Sequence, residues 1–275
     1  MKQFIVDAFT DQVFAGNQAA ICILDEWLPD EMMLNIAREN NFSETAFTVK
    51  ENTDTYRLRW FTPEAEIDLC GHATLAAGYI ILEHYNINIS NVTFKTLSGD
   101  LIIRQKGDLY EMDFPAYSFK HVEVTDAMEE ALGVRPIDAV LSRDLLMVLD
   151  SEEAVKKIKP NLDKLGNLEG LIQAVTAKGR EYDSVSRVFA PKIGINEDPV
   201  TGSTHCLIVP YWAEKLGKKE IRAFQASKRT GVLYCETAGE RIKISGKAAL
   251  YSISEILPKL NFPPLNAYAF EAGDS

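Results

Sequence analysis

The sequence predicts an α+β protein built from two like halves, and three observations carry that prediction. An Arg-x-Phe-x-Pro segment, RWFTP at 59–63, returns as RVFAP at 187–191. Each copy runs through an acidic loop to a glycine that opens an apolar helical stretch, GHATLAAG from Gly71 and GSTHCLIV from Gly202; the second loop is three residues longer. Beyond them, SGDLIIRQKGDLYEMDF (98–114) and TGVLYCETAGERIKISG (230–246) superpose without a gap, Gly99 on Gly231 and Gly107 on Gly239. A single short match has a high chance rate, but three collinear matches at nearly constant offset indicate a duplication.

The elements follow in chain order. PDEMMLNIAREN (29–40) starts as a helix should: Pro29 and Asp30 stand at its entry, Glu31 lies in the first turn, and Met33, Ile36 and Ala37 recur at helical spacing. It reads as an outer helix covering a sheet. NNFSETAFTV (40–49) turns into an apolar strand at Glu44, whose face by alternation is shared with Phe42 and Ala46. The 98–114 and 230–246 segments are hairpins. Gly107-Asp108 and Gly239-Glu240 supply the turns, and the alternation of Arg241, Ile242, Lys243 and Ile244 marks a strand with one buried face. PAYSFKHVEVT (115–125) divides the halves, placed at 1–117 and 118–257, and so short a junction implies tight packing with a cleft between them. DSEEAVKKIKPNLDKL (150–165) reads as a solvated helix face broken at Pro160. Two readings stay open for the proline-rich tail at 258–275: a disordered end, or a segment packed on the first half.

Bulk properties narrow the partners. A chain of 275 residues, 46% hydrophobic and 25% charged, can bury a real core. Its formal charge of −11, from 40 acidic and 29 basic residues, disfavours nucleic acid and anionic membrane surfaces as partners. MKQFIVDAFTDQVF lacks the pattern of a secretory signal, and the longest apolar run, LAAGYIIL, falls well short of the roughly 20 residues of a membrane span, so a cytoplasmic location is expected. Cys22, Cys70, Cys206 and Cys235 form no Cys-x-x-Cys pair and read as reduced thiols.

The chemistry is expected at the two glycines. A helix N-terminus presents unpaired N–H groups and about half a positive charge, so two of them facing one cleft would hold a small carboxylate. The bland reading, that both glycines only shape a tight strand-to-helix turn, remains open at this point. Aligning Gly71 with Gly202 sets Cys70 opposite Thr201, His72 opposite Ser203 and Thr74 opposite His205, with Asp198 just ahead of the second helix. Asp198 can move protons beside Ser203 or simply favour the helix start. Glu44, if buried among apolar neighbours, would have a carboxyl raised toward neutrality and suited to take and return a proton; an exposed strand start is the alternative.

Several segments together, VDAFTDQVFAGNQAAICIL, FSETAFTV, LRWFTPEAEIDLCGHATLAAG, SRVFAPKIGINEDPVTGSTH and RIKISGKA, resemble the PhzF-like isomerases of phenazine biosynthesis. The resemblance implies a diaminopimelate-epimerase-like fold, each half a curled, mostly antiparallel sheet around a central helix, with the active site between halves. It implies Glu44 as general acid/base and His72, Asp198 and Ser203 as supporting residues, with substrate bound at Asn17, Gln18, Ser43, Gly71 and Gly202. It further implies a homodimer acting on a small cyclic or unsaturated carboxylic acid, with no cofactor and no metal. Racemases and epimerases of the same fold use a cysteine at each helix mouth; here Cys70 faces Thr201, too weak a base to replace a thiolate. A racemase working through Cys70 and a non-catalytic small-acid binder are the alternatives. A metal held by His72 and His205 finds no support in ligand spacing. One departure stands out: SKRTG (227–231) has Thr230 where relatives usually carry a second glycine, which predicts a narrower or differently bonded loop.

Overall fold

A computed structural model of the protein describes residues 1–257; the tail at 258–275 lies outside the described residues. Strands β1 (Lys2–Ala8), β2 (Asn17–Leu24) and β3 (Glu44–Lys50) are largely buried on both faces, as strands sandwiched between two layers must be, while β4 (Thr55–Phe61) alternates buried Tyr56, Leu58 and Trp60 with the more open Arg57 and Arg59. Helix α1 (Asp30–Asn40) supplies the outer layer, laying Met33, Ile36 and Ala37 on Cys22, Leu24, Phe47 and Phe61. The short β5 (Glu66–Ile67) leads into α2 (Gly71–Ile80), and β6 (Asn91–Thr96), β7 (Gly99–Lys106) and β8 (Leu109–Pro115) complete the half.

The second half repeats the plan: β9 (Lys120–His121), α3 (Asp126–Leu132), β10 (Asp138–Leu141), β11 (Leu145–Val148), α4 (Glu152–Lys157), α5 (Leu162–Gly166), β12 (Gln173–Lys178), β13 (Ser184–Ala190), β14 (Ile195–Asp198), α6 (Gly202–Leu216), β15 (Glu220–Gln225), β16 (Gly231–Ala238), β17 (Arg241–Gly246) and β18 (Ala248–Glu255). The expected break at Pro160 separates α4 from α5, although Val155 and Leu165 turn inward to a second apolar layer rather than to solvent. Both predicted hairpin turns form, with Gly107 at φ 64° and Gly239 at φ 67°, a region glycine enters without steric cost.

The pairing pattern makes the duplication physical. In the first half β2 pairs β3 in parallel and β4 pairs β6 in parallel; in the second β11 pairs β12 and β13 pairs β15 in the same sense. The halves join edge to edge where β8 pairs antiparallel with β17, so one sheet curls around α2 and then around α6. The last strand returns to the start of the chain, β18 pairing with β1, while β9 pairs with β10 inside the second half.

Helix α2 is apolar all round, which demands burial all round. Leu75, Ala76, Ile80 and Ile81 are fully enclosed, and each large side chain taken from water contributes on the order of 1.5–3 kcal/mol. α6 is equally enclosed but carries Pro210, which cannot bond the carbonyl of Cys206. That carbonyl accepts from Tyr117 N at 2.9 Å, so the connection between halves is pinned to the helix at its weakest point. Among the described residues, no helix is long and apolar enough to cross a membrane.

At Gly78 the helix meets β7 closely. A Cβ there would approach Cγ2, Cγ1 and Cβ of Ile103 to 2.6–2.9 Å, the stiff near end of a branched side chain. Alanine gains up to ~1 kcal/mol in helix propensity, while overpacking costs about 1–3 kcal/mol. Gly78→Ala is therefore expected to lower the urea midpoint by the equivalent of about 1 kcal/mol with an unchanged m-value.

Candidate active site

The two helix mouths are built alike. Cys70 (φ −145°, ψ 108°) and Thr201 (φ −110°, ψ 96°) are extended, neither caps its helix with a side chain, and neither first turn carries an acid. A Cβ at Gly71 would touch only Phe114 Cζ at 3.8 Å, and one at Gly202 only Phe9 Cζ at 3.8 Å, both ordinary contacts. Packing within the chain thus does not require glycine at either place. Each helix opens with N–H groups that no side chain caps.

Glu44, first residue of β3, is 7% exposed, so the exposed-strand alternative is set aside. Its neighbour is His72, one residue into α2, with Nε2 at 3.1 Å from Glu44 Oε2. The same nitrogen lies 3.2 Å from the Gln18 carbonyl oxygen. With two acceptors facing it, Nε2 carries the proton. On the other edge of the ring, Nδ1 lies 3.3 Å from Asn17 Nδ2 and 3.6 Å from Cys70 Sγ. Burial pushes the Glu44 carboxyl up, but the charge and hydrogen bond of His72, helped by Ser43 and Cys70, bring it below its ordinary value. The expectation of a raised Glu44 is corrected accordingly: the sequence contained the burial but not the imidazole. Burial pulls His72 down, and Cys70 and Glu44 more than reverse this, holding it well above its usual value. The pair is therefore ionic at neutrality. Burial and then the Glu44 charge push the Cys70 thiol up, against the lowering effect of His72.

The imidazole N–H is shared between Glu44 Oε2 and the Gln18 carbonyl, and Oε2 is fully shielded from solvent. The donor atoms of Glu44, Cys70 and His72 lie within 4.8 Å of one another, a spacing a metal could bridge, but carboxylate and imidazole instead close on each other. His205 takes no part: fully buried, its Nδ1 meets the Thr201 carbonyl at 2.7 Å, and burial draws it down to about 4.

Asp198, last residue of β14, joins the halves at the site. Asn17 Nδ2 lies 2.8 Å from Asp198 Oδ1 and 2.9 Å from the Val200 carbonyl, while the Thr201 hydroxyl donates to Asp198 Oδ2. Asn17, expected to bind substrate, thus directs its amide N–H groups across to the second half, with Nδ2 also 3.3 Å from His72 Nδ1. Burial pushes Asp198 up to about 6, against the lowering effects of His72 and its hydrogen bonds. Gln225, which the sequence did not reveal, fixes this turn by accepting from Thr201 N at 2.9 Å and donating to the Asp198 carbonyl at 2.7 Å. Ser203 stands at the α6 mouth, its Oγ accepting from Arg143 Nη2 at 3.1 Å. Gln18 and Ser43 are half-buried beside the Glu44–His72 pair. Thr230 adopts φ 59°, the left-handed conformation that glycine takes freely and a branched residue enters only under strain; its carbonyl accepts from Gly16 N at 2.9 Å.

Register shows how the halves diverged. Thr45 pairs Phe61 and Gln173 pairs Phe189, so the counterpart of Glu44 is Ile172. With Thr201 opposite Cys70 and Ser203 opposite His72, the second half offers neither thiol nor acid at the mirrored positions. The buried acid, imidazole and thiol thus lie on one side only.

Asp198 gives a pH test. Its folded-state pKa is raised, so between its ordinary value near 4 and about 6 the folded protein holds a proton that the unfolded chain has released, and stability falls as pH rises through that window. Asp198→Asn is expected to remove this falling component, read as the difference between wild-type and mutant denaturation curves from pH 4 to 7.

Comparison with known proteins agrees with this architecture. The phenazine biosynthesis-like protein family, PhzC-PhzF, matches residues 6–253. An uncharacterized isomerase of Pseudomonas aeruginosa is 48% identical over 248 residues, covering 90% of this chain and 95% of that protein. A crystal structure of a PhzF-family phenazine biosynthesis protein from Enterococcus faecalis superposes with a TM-score of 0.91 at 46% identity, covering 94% of this chain and 99% of that one. A probable proline racemase from Agrobacterium radiobacter shares the fold alone, with a TM-score of 0.61 at 9% identity, covering 94% of this chain and 93% of that one.

Proposed function

This chain belongs to the phenazine biosynthesis-like, PhzC-PhzF family, and on that premise we propose that it is a cofactor-independent isomerase that shifts a proton within a small cyclic or unsaturated carboxylic acid, with Glu44 taking and returning the proton. The observation that carries this reading is the Glu44 carboxylate itself: buried at the start of β3, with Oε2 3.1 Å from His72 Nε2 and its pKa held low by that imidazole.

The chemistry follows from the geometry. A C–H of the bound acid meets the Glu44 carboxylate, the C–H bond breaks, and the proton goes to the carboxylate. The electron pair moves into the conjugated system toward the carboxylate, where backbone N–H groups at a helix mouth meet the growing charge. The neutral Glu44 then gives the proton to a second carbon, forming a new C–H bond with the double bonds displaced. No net electron or atom is gained. His72⁺ keeps Glu44 ionised between turnovers. Asp198, raised to about 6, is the nearby carboxyl whose charge changes closest to neutrality.

A single base returns the proton to the face it came from, which suits migration along one face and not stereoinversion. Ile172 and Thr201 in the mirrored positions support this over a racemase using Cys70. A non-catalytic acid binder would show thermal stabilisation by acids with no exchange.

The test is NMR-detected deuterium incorporation from D2O into a cyclohexadiene carboxylate of the dihydroanthranilate type. Glu44→Gln is expected to slow exchange by about 10²–10⁴, the usual contribution of a general base, while Cys70→Ala stays within a few-fold of wild type. Unchanged exchange in Glu44→Gln would remove that residue from its role; loss of exchange in Cys70→Ala with a folded protein would favour the racemase.

A further inference from the structure

We propose that Arg143 is a substrate-binding residue that grips the substrate carboxylate at the mouth of α6, orienting the acid with its reacting carbon toward Glu44 and making the site selective for an acid over its neutral amide. This rests on the proton-shift reading above and adds the direction in which the substrate lies.

Arg143 sits between β10 and β11 and is built into place. Its Nε and Nη2 bond Asp144 Oδ1 and Oδ2 at 2.9 and 2.7 Å. Asp144 has no solvent exposure and accepts a further bond from Thr204 Oγ1, on α6, at 3.0 Å. The guanidinium lies 5.2 Å over the ring of Tyr117, the residue tied to the carbonyl that Pro210 frees. A buried carboxylate and an aromatic face thus hold the cation in one orientation. Its outer edge is not consumed: Nη2 reaches Ser203 Oγ at 3.1 Å, about a third of the side chain is exposed, and among the described residues no acceptor meets Nη1.

Symmetry places the same position at the other mouth. Ala20 pairs Thr45 and Leu145 pairs Gln173, and Thr45 corresponds to Gln173, so Arg143 corresponds to Gln18, whose carbonyl faces His72. The flanking loops differ. Residues 9–16 cross to the second half, where Arg229 bonds the Ala15 and Gly16 carbonyls and Asp7, closing that side. The mirrored loop, 142–144, is too short to cross. Arg143 is left facing open space.

Free donors choose between the mouths. At α2 the His72 imidazole N–H is already turned to Glu44 and the Gln18 carbonyl. At α6 Asp144 takes Nε and Nη2 of Arg143, and Nη1 is the donor left for an incoming carboxylate. The carboxylate goes to Arg143, and the rest of the ring extends toward Glu44.

Calorimetric titration of the full chain with benzoate and benzamide as probes tests this. Wild type is expected to bind benzoate at least about tenfold more tightly than benzamide, as one charge-assisted contact implies. Arg143→Gln alone strands a buried Asp144, so Arg143→Gln/Asp144→Asn is the informative variant: folded by circular dichroism, with the preference for benzoate lost and benzamide binding unchanged. Arg143→Lys, which keeps the charge but not the fork, should retain part of the preference. A purely structural Arg143 would leave the acid-to-amide ratio as in wild type, and that result overturns the proposal; so does wild type that fails to bind benzoate up to tens of millimolar, weaker than any specific carboxylate site. Glu44→Gln should bind benzoate at least as well as wild type. If it also keeps proton exchange, the Glu44 reading fails while the Arg143 result stands separately.

Discussion

The contact between Glu44 and His72 constrains everything around it. Two opposite charges buried together lose their hydration, and their attraction offsets that loss only when the remaining polar atoms find partners. Here the first residue of β3 must meet the first turn of α2, with the β2 backbone supplying the Gln18 carbonyl and Asn17 closing the far edge of the ring. A small rotation of α2 would leave an unpaired charge in the core. The helix is held against such a rotation by apolar packing on every side, including the tight approach of Gly78 to Ile103.

That packing explains the fold. A helix apolar all round needs a wall all round, and a sheet supplies one only by curling. Two such helices, each ending in an uncapped N-terminus, bring their mouths to the junction where Asn17 of one half reaches Asp198 and Val200 of the other. The two mouths differ in side chains: one carries Glu44, His72 and Cys70, the other Thr201, Ser203 and Ile172 with the Arg143–Asp144 pair beside it.

Much of this was legible in the chain. RWFTP and RVFAP gave the repeat, and the superposable hairpins gave its register; both are local patterns whose meaning does not depend on distant partners. The glycines before α2 and α6 were legible for the same reason. The crossing of β18 onto β1 was not, because its sequence, AALYSISE, suits any edge strand and nothing local names the partner. Arg143 and Gln225 were also missed. Their roles depend on residues far away in sequence, Ser203 for one and Asp198 for the other, although a charged tip between two apolar runs, AVLSRDLLMV, marks a hairpin turn worth inspecting.

The sequence by itself determined the two-half α+β plan, the helix mouths, and Glu44 and His72 as members of one site, since periodicity, turn chemistry and the matched family segments are properties of short stretches. Tertiary structure alone decided the ionisation states. Burial by itself would raise Glu44, but the imidazole at 3.1 Å lowers it, while Asp198, which the chain shows only as an acid ahead of a helix, becomes the carboxyl poised near neutrality. Charge states are set by what surrounds a group in space, and that surrounding comes from strands and helices far apart along the chain.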